Sequence, residues 1–159
     1  MSENIQVLTP ISVSRETIVS SAREWLGTPY IHQESTIGAG TDCLGLIRGV
    51  WRSLYASEPE IAPPYTPDWN ERNWNRVTGH DVLLEAARRH FVESKDAQIN
   101  PGDVLIFRVQ RHGPAKHCGI LTQEDRFIHA YAGREVCESW LNRWWRARIA
   151  GVFIFPGAE

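Results

Sequence analysis

The chain has 159 residues, is 42% hydrophobic and 23% charged, and carries a net charge of −2. A single domain of that length buries about 70% of its unfolded surface, so it needs neither a disulfide nor a metal to fold. The slightly acidic balance argues against a dedicated nucleic-acid binder, which would present a basic face, although Arg143, Arg146 and Arg148 form a local basic patch.

The opening "MSENIQVLTPISVSRE" has neither the basic start nor the apolar stretch of a signal peptide. No apolar run approaches a membrane span. Residues 1–13 read as an arm or edge segment. Ser14 then caps a helix whose apolar side is Ile18, Ala22, Trp25 and Leu26, stopped by Gly27 and Pro29. "YIHQESTIGAGT" reads as a loop. A second helix starts near Cys43 and runs to about Tyr55, with Leu44, Ile47, Val50, Trp51 and Leu54 at helical spacing. Gly45 and Gly49 lie four apart on it and cost helix propensity, so their use is the close packing of a neighbouring backbone.

Residues 56–76 are rich in Pro and Asn and read as irregular. A third helix is predicted over 78–93, with Val82, Leu83, Ala86, Ala87 and Phe91 as its apolar side. The period then changes. "PGDVLIFRV" (101–109), "HCGILT" (117–122) and "RFIHAYA" (126–132) read as strands, the last two joined through "QED" as a hairpin. "REVCES" (134–139) offers another strand. "WLNRWWRARI" is helical or irregular, and "AGVFIFP" (150–156) closes as a strand. Helices first and a mostly antiparallel sheet afterwards predict an α+β fold in one domain spanning 1–159. Tryptophan is usually highly buried, so most of the seven are expected to close the core, although exposed ones could stack on sugar rings.

Three cysteines, Cys43, Cys118 and Cys137, are too few and odd in number for a disulfide framework. They suit a reducing cytoplasm. A nucleophilic cysteine must be a thiolate near neutral pH, and a free thiol has a pKa of about 8.5. Cys43 stands where a helix begins, and a helix N-terminus stabilises an anion by up to ~2 kcal/mol. Reaching a pKa of ~4 takes about 6 kcal/mol at 1.36 per unit. The helix end is insufficient alone, so a histidine is expected opposite. Cys118 lies within an apolar strand and reads as a small core hydrophobe, pointing away from whatever His117 faces. Cys137 stands between Glu135 and Glu138, which disfavour a thiolate.

Of six histidines, His32, His80, His90 and His112 lie in predicted loops or helices. His117 and His129 lie on neighbouring strands and can meet across one face of the sheet. There His129 could hold one ring nitrogen of His117 while the other meets the thiol; two partly buried histidines bonded to backbone carbonyls fit the spacing equally well. A zinc site from His112, His117, Cys118, His129 and Cys137 is a rival. It lacks the two closely spaced ligand pairs of structural zinc, so no metal and no cofactor is expected.

"AREWLGTPY", "TDCLGL", "PGDVLIF", "KHCGIL" and "RFIHA", in that order over residues 22–155, resemble the NlpC family of papain-like cysteine peptidases that cut bacterial cell-wall peptides. "DCLGLIRGVWR", the late "WW" and "AGVFIFP" resemble the subgroup found with phage tails and gene-transfer particles. The resemblance implies a papain-like fold, with Cys43 as nucleophile, His117 as general base and His129 as the residue that orients it. It places the hydroxyl of Tyr30 near the oxyanion and gives Asp42 and Asp103 structural roles. It implies a peptidoglycan stem peptide as substrate, cut between the side-chain carboxyl of D-glutamate and diaminopimelate. The implied partners are tail or particle proteins, and the implied site of action is the periplasmic wall. A catalytically silent tail component, and a papain-like amidase or acyltransferase, are the alternatives. The chain departs from the family at Leu44, where serine is frequent, at Cys118, where a branched apolar residue is usual, and in the longer, more polar loop after Tyr30, which lacks the family's glycine pair.

Overall fold

A computed structural model describes residues 11–72, 74 and 78–159, with backbone alone at 71 and 72; most of the expected arm over 1–13 lies outside that range. Helix α1 (Arg15–Arg23) opens where Ser14 Oγ accepts the Thr17 N–H at 3.1 Å. It ends sooner than the apolar spacing suggests, in a turn that takes Gly27 to φ +82°. Trp25 is therefore still buried, but Leu26 has left the stripe and is exposed. The loop after Tyr30 contains a small antiparallel pair, β1 (Ser35–Thr36) and β2 (Gly40–Thr41).

Helix α2 (Cys43–Tyr55) matches its predicted bounds and buries Leu46, Ile47, Val50 and Trp51. A neighbouring backbone meets Gly45 as expected, whereas Gly49 is met by a side-chain ring. A Cβ at Gly49 would stand 1.9 Å from the Trp25 ring, and one at Gly45 would stand 2.0 Å from the Glu34 carbonyl oxygen. The turn after α1 and the β1–β2 loop therefore press directly on the α2 backbone.

A short helix α3 (Trp69–Arg72) precedes α4 (Val82–His90). Helix α4 is shorter than the predicted 78–93 because buried Asp81 caps it, accepting the Leu84 N–H, and because Phe91 is already extended. Leu83, Leu84 and Ala87 form its buried side. Val82 and Ala86 are half-buried, so the apolar stripe is rotated from the expected one.

The sheet comprises β3 (Val92–Glu93), β4 (Val104–Phe107), β5 (His117–Gln123), β6 (Arg126–Ala130), β7 (Val136–Trp140) and β8 (Ile149–Ile154), ordered β3-β8-β4-β5-β6-β7. Every neighbouring pair is antiparallel. The short edge strand β3 was not expected. Gln123 pairs with Arg126, so it belongs to β5 and only Glu124 and Asp125 turn the hairpin.

Strand alternation sorts the sheet into two faces. Val104, Ile106, Cys118, Ile120 and Ile128 join the core beneath α1, α2 and α4. Leu105, Phe107, Leu121 and Phe127 form a second cluster on the other side, where Trp145 of the short helix α5 (Arg143–Arg146) packs. The fold is α+β, as predicted. Trp25 and Trp51 are buried, while Trp140 and Trp144 are exposed beneath the guanidinium groups of Arg126 and Arg148, 3.9 and 3.7 Å from the ring centroids. Among the described residues no helix is long and apolar enough to cross a membrane.

Candidate active site

Asp42 fixes the end of α2 that carries Cys43. One carboxylate oxygen accepts the Gly45 N–H at 2.7 Å; the other accepts the Gln33 N–H at 2.8 Å and the Tyr65 hydroxyl. The carboxylate is thus buried but fully engaged, tying the β1–β2 loop and the 56–68 segment to the helix start. Cys43 follows at the first turn, half-buried and open to the cleft.

The Cys43 thiol is held well below its ordinary pKa. A hydrogen bond from Cys118 is the largest cause; burial opposes it, and His117 adds a hydrogen bond and its charge. Cys118 is driven the other way, because it is buried beside the same sulfur. Cys43 is therefore the thiolate of the pair and Cys118 keeps its proton. The histidine that the helix-end arithmetic required is present.

His117 opens β5 and His129 lies on β6. Their ring nitrogens, Nε2 of His117 and Nδ1 of His129, are 2.7 Å apart. The register Ile120↔Ile128 sets Gly119 opposite His129, so the two imidazoles meet diagonally. Glycine leaves room there: a Cβ at 119 would stand 3.1 Å from the His129 Cβ. His129 Nε2 reaches Ser139 Oγ at 2.9 Å. Burial, with a smaller contribution from His117, pushes its pKa down to about 3. A neutral His129 with its proton on Nε2 donates to Ser139 and offers Nδ1 as acceptor. His117 then donates Nε2–H to His129, and its Nδ1 is the nitrogen left for Cys43. Phe127 lies 4.4 Å and Trp145 5.4 Å from His129 by ring centroid, and Trp145 is also 5.4 Å from His117, so aromatic rings enclose the pair.

These groups border a cleft of about 530 Å³ lined by Tyr30, Cys43, Tyr65, His117, Trp144 and Trp145 among others. Tyr30 is the expected oxyanion donor. Burial and the neighbouring Cys43 raise its pKa to about 12, which keeps its hydroxyl protonated. The structure thus brings Tyr30, Cys43 and His117 into one cleft with His129 directly behind. Cys118 is buried in the core as predicted, but it also touches Cys43, which the sequence did not show. His32 adjoins the site through the Tyr65 carbonyl at 2.8 Å, whereas His80 pairs with Glu85 and His90 with Glu60. Among the described residues no group of three or more His, Cys, Asp or Glu is placed to hold a metal.

Tyr65, Ser139 and Trp145 were missed. Tyr65 lies in the aperiodic "PPYTP" run. Ser139 alternates with Cys137 on β7, and the expected strand at 134–139 was the available signal for it.

A cysteine at a helix start, set against paired histidines on an antiparallel sheet, defines a papain-like site. Residues 27–153 match the NlpC/P60 family, and the chain belongs to it. It is 27% identical over 139 residues to the gamma-DL-glutamyl hydrolase of Bacillus subtilis (strain 168), an alignment covering 87% of this chain and 29% of that protein. It is 26% identical over 123 residues to a "Probable endopeptidase" of Haemophilus influenzae, covering 77% and 63%. The chain therefore spans less than two thirds of either relative.

Among solved structures, the NlpC/p60 domain of peptidoglycan hydrolase SagA superposes with a TM-score of 0.60 at 22% identity, over 89% of this chain and 98% of that one. NlpC2 from Trichomonas vaginalis gives a TM-score of 0.61 at 21% identity, over 89% and 46%. At these identities both likenesses establish the shared fold.

Proposed function

We propose that the chain is a cysteine endopeptidase that hydrolyses the amide between the side-chain carboxyl of D-glutamate and diaminopimelate in peptidoglycan stem peptides. The observation that carries this reading is that Cys43 and His117 line one cleft, with His117 Nε2 held 2.7 Å from Nδ1 of a neutral His129. The hydrolases and the endopeptidase among its relatives support the choice of an amide in cell-wall peptide. The resemblance of the α2 and C-terminal motifs to the phage-tail and gene-transfer subgroup supports a setting in such a particle. In that setting a single catalytic domain over residues 1–159 is made in the cytoplasm and delivered to the periplasmic wall by its tail partners.

The geometry supports a two-step acyl transfer. The Cys43 thiolate attacks the carbonyl carbon, and the oxyanion is met by the Cys43 N–H and the Tyr30 hydroxyl. His117, protonated on both nitrogens in the ion pair, gives its Nδ1 proton to the leaving amine. It then takes one from the water that releases the acyl group. His129 holds His117 through Nε2 during both transfers. Losing one oxyanion donor typically costs ~100-fold or more in rate, so Tyr30→Phe is expected to lower kcat by about that factor.

The test is mass spectrometry of fragments released from purified sacculi. The wild-type chain is expected to release peptides cut at the D-glutamyl–diaminopimelate bond, and Cys43→Ala to release none. Fragments released equally by Cys43→Ala would remove the cysteine mechanism. Cleavage at the sugar–peptide link would reassign the enzyme as an amidase, and no release by wild type would leave a silent tail component. Co-sedimentation with tail particles tests the setting.

A further inference from the structure

One buried thiol beside the site takes no part in the bond changes of the acyl transfer. Cys118 is 2% exposed on the helix-facing side of β5, where strand alternation calls for an apolar side chain. Its Sγ donates to the Cys43 carbonyl oxygen at 3.3 Å, which seats the thiol against the backbone of Cys43 itself. Both cysteines are free thiols. Both line the cleft, but Cys43 is half-buried there while Cys118 is almost wholly buried.

We propose that Cys43 and Cys118 form a redox modification site, in which a hydroperoxide oxidises the Cys43 sulfur and Cys118 converts it to a reversible intramolecular disulfide that silences the cleft. The inference rests on Cys43 being the cleft thiolate, and not on which bond the enzyme cuts. The Cys43 thiolate attacks the O–O bond of the hydroperoxide. An S–O bond forms, the O–O bond breaks, and the departing oxygen takes a proton to leave as water or an alcohol. The Cys118 sulfur then attacks the Cys43 sulfur. An S–S bond forms, the S–O bond breaks, and hydroxide leaves as water with the Cys118 proton. The two thiols together lose two electrons and two protons, and the hydroperoxide gains them. A dithiol reductant reverses the reaction by exchange through a mixed disulfide.

The arrangement separates the two tasks by access. Oxidant reaches the sulfur that opens to the cleft, while the second thiol is shielded from oxidant yet adjacent to the first. A sulfenic acid without a neighbouring thiol proceeds to sulfinic acid, which a dithiol cannot reverse. Cys118 intercepts that step. Cys137 is an internal control: its Sγ neighbours Ser139 Oγ at 3.6 Å on β7, two strands from β5.

The experiment treats the full chain with hydrogen peroxide, blocks remaining thiols with an alkylating agent, and maps the peptides by mass spectrometry, alongside Cys118→Val and Cys118→Ala. Wild type is expected to give a peptide linking residues 43 and 118, and to recover alkylation of Cys43 after dithiothreitol. In both variants the share of oxidised Cys43 that ends as sulfinic acid, beyond the reach of dithiothreitol, is expected to rise about tenfold over wild type. A link that involves Cys137, a Cys43 that resists peroxide, or equal sulfinic acid formation in wild type and variants would overturn the proposal. The readout needs no cell wall, so the two readings separate. A chain that forms the link but releases no peptide loses the proposed function alone, and one that cuts sacculi but never forms the link loses only the switch.

Discussion

His129 is only 1% exposed, so its charged form is poorly solvated. With its pKa pushed down to about 3 by burial, it stays neutral while its ring holds His117 at 2.7 Å. The same shift has a consequence for stability. Unfolded, this histidine titrates near 6.5; below that pH the unfolded chain takes a proton that the folded chain refuses until about pH 3. Stability is therefore fully retained above pH 6.5 and falls as pH drops toward 3, by up to ~1.4 kcal/mol per pH unit from this one group. His129→Gln removes that dependence. Urea midpoints at pH 7, 6, 5 and 4 are expected to fall less steeply for the variant than for wild type, and parallel lines would mean that His129 is not held neutral. In activity, His117→Ala is expected to lose about 10²–10⁴ in kcat as a general acid–base group, and His129→Ala less, since it acts only through His117. The reverse order in single-turnover kinetics would exchange their roles. Much of this site was legible: one cysteine at a helix start and two histidines on neighbouring strands mark themselves by element type alone. The neutral state of His129 was not, because it depends on Phe127, Trp145 and Ser139 closing around it from three separate segments.

At the level of elements, α2 carries Cys43, and its position is set by what its glycines admit. Gly49 gives the Trp25 ring its place against the helix backbone; the Cβ of an alanine there would stand 1.9 Å from that ring. Relief requires α2 to move away from α1 or Trp25 to leave its pocket. Gly49→Ala is expected to destabilise by about 1–3 kcal/mol, the usual cost of overpacking, despite alanine's better helix propensity. Adding Trp25→Phe, a smaller ring, is expected to restore part of the loss. A gain in urea midpoint for Gly49→Ala alone would show that the contact yields. The glycine spacing was readable in sequence because two glycines four apart cost helix stability and so require a packing reason. Boundaries were less readable. Helix α1 stops at Arg23 and strands Leu26 outside the core. Helix α4 starts only at Asp81, where Asp81 Oδ2 also accepts the Ala115 N–H at 2.8 Å, a tertiary contact invisible to periodicity. The edge strand β3 has two residues, too few to show an alternation.

At the scale of the molecule, the cleft has one wall from the sheet and another from the segment between α2 and α3. That segment reads in sequence as irregular. It has no regular structure over residues 57–66, yet it is fastened at three points. Glu58 accepts from Arg48 at 2.8 Å and also pairs with Arg52, both on α2. Glu60 pairs with Arg89 and His90 on α4, each at 3.0 Å. The Tyr65 hydroxyl donates to Asp42, next to Cys43 in the chain. Between the first two anchors and the third, Ile61 stands 93% exposed. These partners lie up to thirty residues away along the chain, which is why composition alone suggested only a loose connection. Glu58 is the anchor whose loss reaches furthest, because it is mostly buried and serves two guanidinium groups, and removing it leaves Arg48 without its bidentate partner. Taking away one side of such a charged pair costs about 1–3 kcal/mol. Arg52 keeps its bonds to Ser35, so α2 itself stays in place and the cost falls on the segment. Glu58→Gln is therefore expected to raise KM for a stem peptide more than it lowers kcat. It should also speed protease cleavage near Ile61 while the rate of Cys43 alkylation stays the same. A change in alkylation rate equal to the change in KM would show that the segment governs the thiol itself rather than the wall that positions the peptide.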